Sequence, residues 1–171
     1  MANLNGKQLA EFGIVTGPLG EDNIAQHGID LNVVKIERLL GGGLIPKVGK
    51  TILGDRELVN PYIPDALENE DIIWKLQPGV YDVTFAQGCK IPKDQMLLIR
   101  QRSSLLRNGV IIHSSVFDAG FETENMGTIM VVNLPITIVF EARIAQIYAH
   151  HCNDVENLYE GQFQKDQQRN K

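Results

Sequence analysis

Short apolar runs of five to nine residues recur along this chain, and their spacing constrains the fold more than any other feature: "LNVVKIERL" (31–39), "IIWKL" (72–76), "VYDVTFA" (80–86), "QMLLIRQ" (95–101), "GVIIHSSVF" (109–117), "TIMVV" (128–132), "ITIVF" (136–140) and "RIAQIYAH" (143–150). The runs alternate or are continuously apolar, and turn formers separate them at Pro78-Gly79, Pro92-Lys93-Asp94 and Asn133-Leu134-Pro135. That pattern predicts β-strands. Regularly spaced short strands favour an all-β barrel or sandwich. Helical signals are confined to Lys7–Phe12 and to "SSLLRNG" (103–109), where Ser fits an N-cap and Asn-Gly a C-cap. Residues 40–71, rich in Gly, Pro and charge, read as a long excursion with little regular structure. The 171 residues correspond to one domain, 1–171, without internal repeats. The polar tail from Asp154 reads on composition alone as a disordered end.

With 43% apolar residues the chain can bury a core, and a net charge of −5 argues against a nucleic-acid partner. A small polyanion is still compatible, because a few converging Arg, Ser and N–H groups hold one locally. Cys89 and Cys152 fit neither a metal-ligand spacing nor a disulfide framework, as expected of reduced thiols in a cytoplasmic protein. The start "MANLNGKQLAEFGIV" lacks a secretory pattern, and no run approaches the ~18 apolar residues of a membrane span. The expectation is a soluble, cytoplasmic protein.

Polar groups cluster where strands end. Arg102-Ser103-Ser104 follows "QMLLIRQ"; a planar guanidinium, two hydroxyls and a helical turn's N–H groups would form an anion cradle. Taken alone, the same residues also fit a surface Arg beside an ordinary cap. Asp118 ends the next apolar run before Ala-Gly, placed either to orient and deprotonate a water or to cap a turn. Phe121 offers a ring face to a sugar or base, or belongs to the core. His150 and His151, adjacent on a strand, point to opposite faces and cannot easily share one zinc ion. A P-loop, a dinucleotide fingerprint and the Pro-Cys-x-x-Cys of zinc deaminases are absent from the sequence.

Taken together and in order, "HGIDLNV" (27–33), "RQRSSLLRNG" (100–109), "SSVFDAGF" (114–121), "RIAQIY" (143–148) and "YEGQFQ" (159–164) resemble the motifs of the dUTPase / dCTP deaminase family. The resemblance covers roughly residues 25–165. It implies a distorted jelly-roll-like fold with one or two short helices, assembled as a homotrimer with active sites at subunit interfaces. By the same resemblance, Arg102, Ser103, Ser104, Arg107 and Gln146 look like phosphate ligands. Ile112, Ser114, Ser115 and Val116 would belong to a wall that reads the pyrimidine largely through backbone groups, and Phe121 would pack on the deoxyribose. Tyr159, Phe163 and Gln164 resemble the closing motif of a tail (154–171) that folds over a neighbouring subunit's site. The deaminase branch usually reads Gly-Lys-Tyr-Gln there; this chain has Gln162, so Lys165 is the candidate to replace the missing lysine.

The deaminases of the family also need a proton-shuttling glutamate on the strand after the catalytic aspartate. Here the ungapped counterpart is Thr128, or Val132 if the alignment is drawn on "GTIMVV". Only a large register change would bring Glu122 or Glu124 there. The resemblance therefore implies dUTP diphosphatase chemistry. Asp118 would direct water at the α-phosphate, and Mg²⁺ would be held mainly by the triphosphate and not by protein side chains. Two alternatives stand beside it: a metal-independent dCTP deaminase, alone or bifunctional, and a non-enzymatic nucleotide-binding trimer.

Overall fold

A computed structural model of the chain describes residues 3–64, 71–153 and 155–166. A short helix, α1 (Gly6–Glu11), opens it, fastened by a reciprocal capping box between Asn5 and Gln8. The principal sheet is antiparallel throughout. Its central strand β2 (Ile29–Gly41) pairs on one side with β12 (Arg143–His151), which pairs with β7 (Gln95–Gln101). On the other side β2 pairs with β5 (Gly79–Phe85), followed by β10 (Gly127–Val132) and β8 (Val110–His113). The edge strands β7 and β8 then approach one another. A Leu97–Phe117 bridge and a bond from the Ile99 N–H to Ser114 Oγ at 3.4 Å bring the sheet close to a closed barrel.

Smaller pieces cover this barrel. β1 (Val15–Thr16), β6 (Gly88–Lys90) and β9 (Glu122–Thr123) form a three-stranded sheet, and β4 (Ile73–Leu76) pairs with β11 (Ile136–Val139). The interior holds the alternate residues that the sequence pattern assigns to it, among them Leu31, Val33, Val83, Phe85, Leu97, Ile99, Met130 and Ile147. Each such side chain contributes about 1.5–3 kcal/mol on burial. Trp74 is 1% exposed; its indole N–H donates to the Val59 carbonyl at 2.9 Å and its ring lies 5.5 Å from that of Phe140.

The mainly β reading holds, with three local differences. The run 109–117 does not stay a strand: regular pairing ends at His113, and Ser114–Val116 turn away before Phe117 rejoins β7. Ser103 is not the N-cap of the second helix, α2 (Ser103–Arg107); Arg102 is, through its backbone. The excursion from residue 40 contains an added strand, β3 (Asp55–Leu58), laid on the outer half of β2. Residues 65–70 and the end of the expected tail lie outside the described residues.

Candidate active site

The segment that closes β7 against β8 also builds a cavity. Asp118-Ala119-Gly120-Phe121 is a β-turn: the Phe121 N–H donates to the Asp118 carbonyl at 3.1 Å, and Gly120, its third residue, has φ +84°. That position needs a residue free to adopt positive φ. A Cβ on Gly120 would also lie 2.7 Å from the Leu158 Cβ, so the tail seats directly on the turn. The turn leaves Asp118 exposed in the wall of a cavity of about 260 Å³. Ser115, Val116, Phe117, Phe121, Thr123, Asn125 and Thr128 line it from the barrel, Tyr159 and Phe163 from the tail, and Leu53 and Arg56 from the excursion.

Residues 155–166 of the tail lie over this cavity. The Tyr159 N–H donates to the Ala119 carbonyl at 2.9 Å, and its ring meets Phe121 edge-on at 5.3 Å. Gln164 accepts from the Glu122 N–H at 2.9 Å and donates to the Gly120 carbonyl at 2.8 Å. Gln162, at the position of the missing lysine, accepts from the Thr51 N–H at 3.0 Å. Tail, turn and excursion thus meet over one opening. The disordered end suggested by composition is replaced by a segment held through specific bonds.

The residues of the expected phosphate cradle lie elsewhere. Ser103, Ser104 and Arg107 are exposed on α2, and Arg102 stands at its start. Arg102 Nε lies 3.3 Å from Asp30 Oδ2, while Gln146 Nε2 donates to Asp30 Oδ1 at 3.0 Å. One buried carboxylate, 5% exposed, therefore sets the orientation of both the guanidinium and the amide. Asn23 donates to the Asp30 carbonyl at 2.8 Å and steadies that point of β2. Asp30 had escaped the sequence reading although its signal was there: a carboxylate inside an apolar strand run is rarely buried without partners. Replacing it by Asn should leave kcat within a few-fold of the original but raise KM about tenfold, since a charge-assisted bond is worth roughly 1.5–3 kcal/mol. Steady-state kinetics on a folded variant checks this; an unchanged KM would remove Asp30 from the site.

The cavity therefore gathers Ser115, Val116, Asp118, Phe121, Tyr159 and Phe163, but not Arg102, Ser103, Ser104, Arg107 or Gln146. Ile112, 1% exposed, belongs to the core, and the Ser114 hydroxyl is turned to the β7 edge and the Ser115 carbonyl. From Leu97, the partner of Phe117, to Arg102 is five residues of β7, about 16 Å along a strand. Thr128 lines the cavity, its hydroxyl donating to the His113 carbonyl at 2.5 Å, whereas Val132 is buried at the far end of β10. Neither Glu122 nor Glu124 lines it.

Arg56 and Asp82 are further lining residues that sequence reasoning missed, and they form an ion pair. Among the described residues, no group of three or more His, Cys, Asp or Glu side chains converges to hold a metal, and no helix is long and apolar enough to cross a membrane. Cys89 is buried and Cys152 half-buried.

Fold and site together define a nearly closed antiparallel barrel with an aromatic-lined, carboxylate-bearing cavity under its C-terminal segment. The chain belongs to the dCTP deaminase-like family, whose model matches residues 5–151. It is 42% identical over 143 residues to a deoxyuridine 5'-triphosphate nucleotidohydrolase of Methanocaldococcus jannaschii, covering 84% of this chain and 88% of that one. It is 36% identical over 147 residues to a probable deoxyuridine 5'-triphosphate nucleotidohydrolase of Halobacterium salinarum, covering 86% of each. Among solved structures, 2'-deoxycytidine 5'-triphosphate deaminase from Agrobacterium tumefaciens shares the fold, with a TM-score of 0.65 and 14% identity over 88% of this chain. The match spans about half, 49%, of that deaminase chain.

Proposed function

We propose that this protein is a dUTP diphosphatase that hydrolyses dUTP to dUMP and diphosphate. The carrying observation is the chemistry of the cavity wall. It presents the Asp118 carboxylate beside Phe121, and at both candidate positions of a deaminase's glutamate it has no carboxylate: Thr128 is committed to a backbone carbonyl and Val132 is buried. Asp82, the other carboxylate in the wall, is engaged in an ion pair with Arg56. The names of the archaeal relatives support the same reading.

In this mechanism Asp118 accepts a hydrogen bond from a water and aims its oxygen at the α-phosphorus. The new P–O bond forms as the bond to the β-phosphate oxygen breaks. The water's proton passes to Asp118 and then to solvent, and diphosphate leaves. Phe121 packs on the deoxyribose, and the backbone at Ser115 and Val116 reads the pyrimidine. Tyr159 and Phe163 exclude water, which strengthens the electrostatic interactions within. Arg102, Ser103, Ser104, Arg107 and Gln146 bind the phosphates. Mg²⁺ entering with the triphosphate would offset charge on the leaving group. Such a hard cation is satisfied by phosphate oxygens and water, and the cavity's exposed Asp118 fits this without a protein cage.

The arrangement calls for more than one copy. The cradle residues do not line the cavity that Asp118 and Phe121 face, and in this reading the cradle of one copy serves the cavity of another. Ile45, Val48 and Ile52 of the excursion, 84%, 87% and 59% exposed, are apolar surface of the kind that subunit contacts cover. A homotrimer satisfies both requirements.

Incubating the purified protein and Mg²⁺ separately with dUTP and with dCTP, and resolving products by anion-exchange chromatography, tests the reading. The expected result is dUMP from dUTP and unchanged dCTP. Ammonia release from dCTP would establish the deaminase alternative instead.

A further inference from the structure

Arg56 reaches the cavity from a part of the chain with no motif of its own. It sits on β3, in the excursion, and its guanidinium is paired with Asp82, which projects from β5; their side chains are 25% and 11% exposed. Both line the cavity that contains Asp118 and Phe121. Three of the neighbouring polar side chains direct donors at the backbone. Thr128 donates to the His113 carbonyl and Thr123 to the Asn125 carbonyl at 3.0 Å, while Asn125 donates to the Phe85 carbonyl at 2.9 Å and the Ala86 carbonyl at 3.4 Å. A guanidinium has five N–H donors and no acceptor. With one group on Asp82, Arg56 can still donate into the cavity.

We propose that Arg56 is a specificity-determining residue that donates to the 4-oxo group of uracil, with Asp82 as the positioning residue that holds it there. This rests on the dUTP reading above. Pairing cancels most of the net charge of Arg56, which suits it to a neutral carbonyl better than to a phosphate, whose ligands lie at the other end of β7. The pyrimidine position that distinguishes the two substrates is an acceptor in uracil and an N–H₂ donor in cytosine. A donor-only group facing it bonds the first. The second meets it donor to donor, leaving both unsatisfied on a buried surface. The excursion is thereby a wall of the site. The bond from Thr51 to Gln162 ties that wall to the closing tail, so selection of the base and closure act on one connected surface.

The test measures binding of α,β-imido-dUTP and α,β-imido-dCTP to the full-length protein by calorimetry, beside turnover of dUTP. The native protein should favour the uracil analogue. Arg56→Gln, whose amide can present an acceptor to cytosine, should lower the uracil-to-cytosine affinity ratio tenfold or more, and Arg56→Lys should retain most of it. If Arg56→Gln fails to fold, the isosteric Asp82→Asn is measured in its place and should lower the same ratio. An unchanged ratio in the folded variant, even with a lower melting temperature, would reduce the pair to an anchor of the excursion and overturn the proposal. A native protein that binds neither analogue selectively overturns it as well. Selective binding that Arg56→Gln abolishes, in a protein that does not hydrolyse dUTP, upholds the proposal and removes the diphosphatase reading.

Discussion

Asp118→Asn is expected to slow dUTP hydrolysis by a factor of about 10²–10⁴, the usual contribution of a positioned general base, while nucleotide binding changes little. The side chain lies exposed in the cavity wall at the start of a turn that is closed by the backbone bond from the Phe121 N–H to the Asp118 carbonyl, so the amide will not disturb the fold. Asn can still touch a water but accepts no proton and carries no charge, so the loss should fall on kcat and leave KM nearly unchanged. Single-turnover kinetics with dUTP, combined with calorimetry using α,β-imido-dUTP, separates the two. Loss of binding in parallel with turnover would mean that Asp118 holds substrate and does not direct water.

Arg102→Ala is expected to act in the opposite way, weakening nucleotide binding by roughly 10–100-fold through loss of charge-assisted bonds to phosphate. It also leaves Asp30 buried beside Gln146 without its cation, so a lower melting temperature should accompany the change. The informative experiment mixes this variant with Asp118→Asn. If the cradle of one copy serves the cavity of another, some sites in mixed assemblies combine an intact Arg102 with an intact Asp118, and activity returns to well above that of either variant alone. Co-expression of differently tagged chains followed by tandem purification provides the material. Mixed assemblies that stay as inactive as the parents would place both residues in one site on one chain and overturn the shared-site reading.

Much of this protein could be read from local pattern, for identifiable reasons. Strands β2, β5, β7, β10 and β12 are long enough for alternation to show, and most of their buried positions follow it; Asp30 and Asp82, buried between apolar neighbours, depart from it. Asp118-Ala119-Gly120 and Asn108-Gly109 were legible because glycine with positive φ, +84° and +75° here, marks a turn and a helix end whatever surrounds it. Strands of two or three residues such as β1, β6 and β9 carry no period and exist only because partners far along the chain pair with them. The run 109–117 reads as one strand because its composition is uniform, yet its pairing ends at His113, where the barrel closes through Phe117.

The division is the same at the site. Sequence by itself determined which groups are available and in what order: the Asp118 turn, the Arg102-Ser103-Ser104 step, Phe121, Gln146, the Tyr159–Gln164 tail and Thr128 or Val132 where a deaminase has glutamate. Tertiary structure alone decided how they are grouped. Asp30 and Gln146 are 116 residues apart, and Arg56 and Asp82 are 26, so no local spacing could announce either pairing. A carboxylate within an apolar strand signals only that some partner must exist, because burying it unpaired is prohibitively costly. Which partner, and in which wall of which cavity, follows from the strand order and register that bring distant residues side by side.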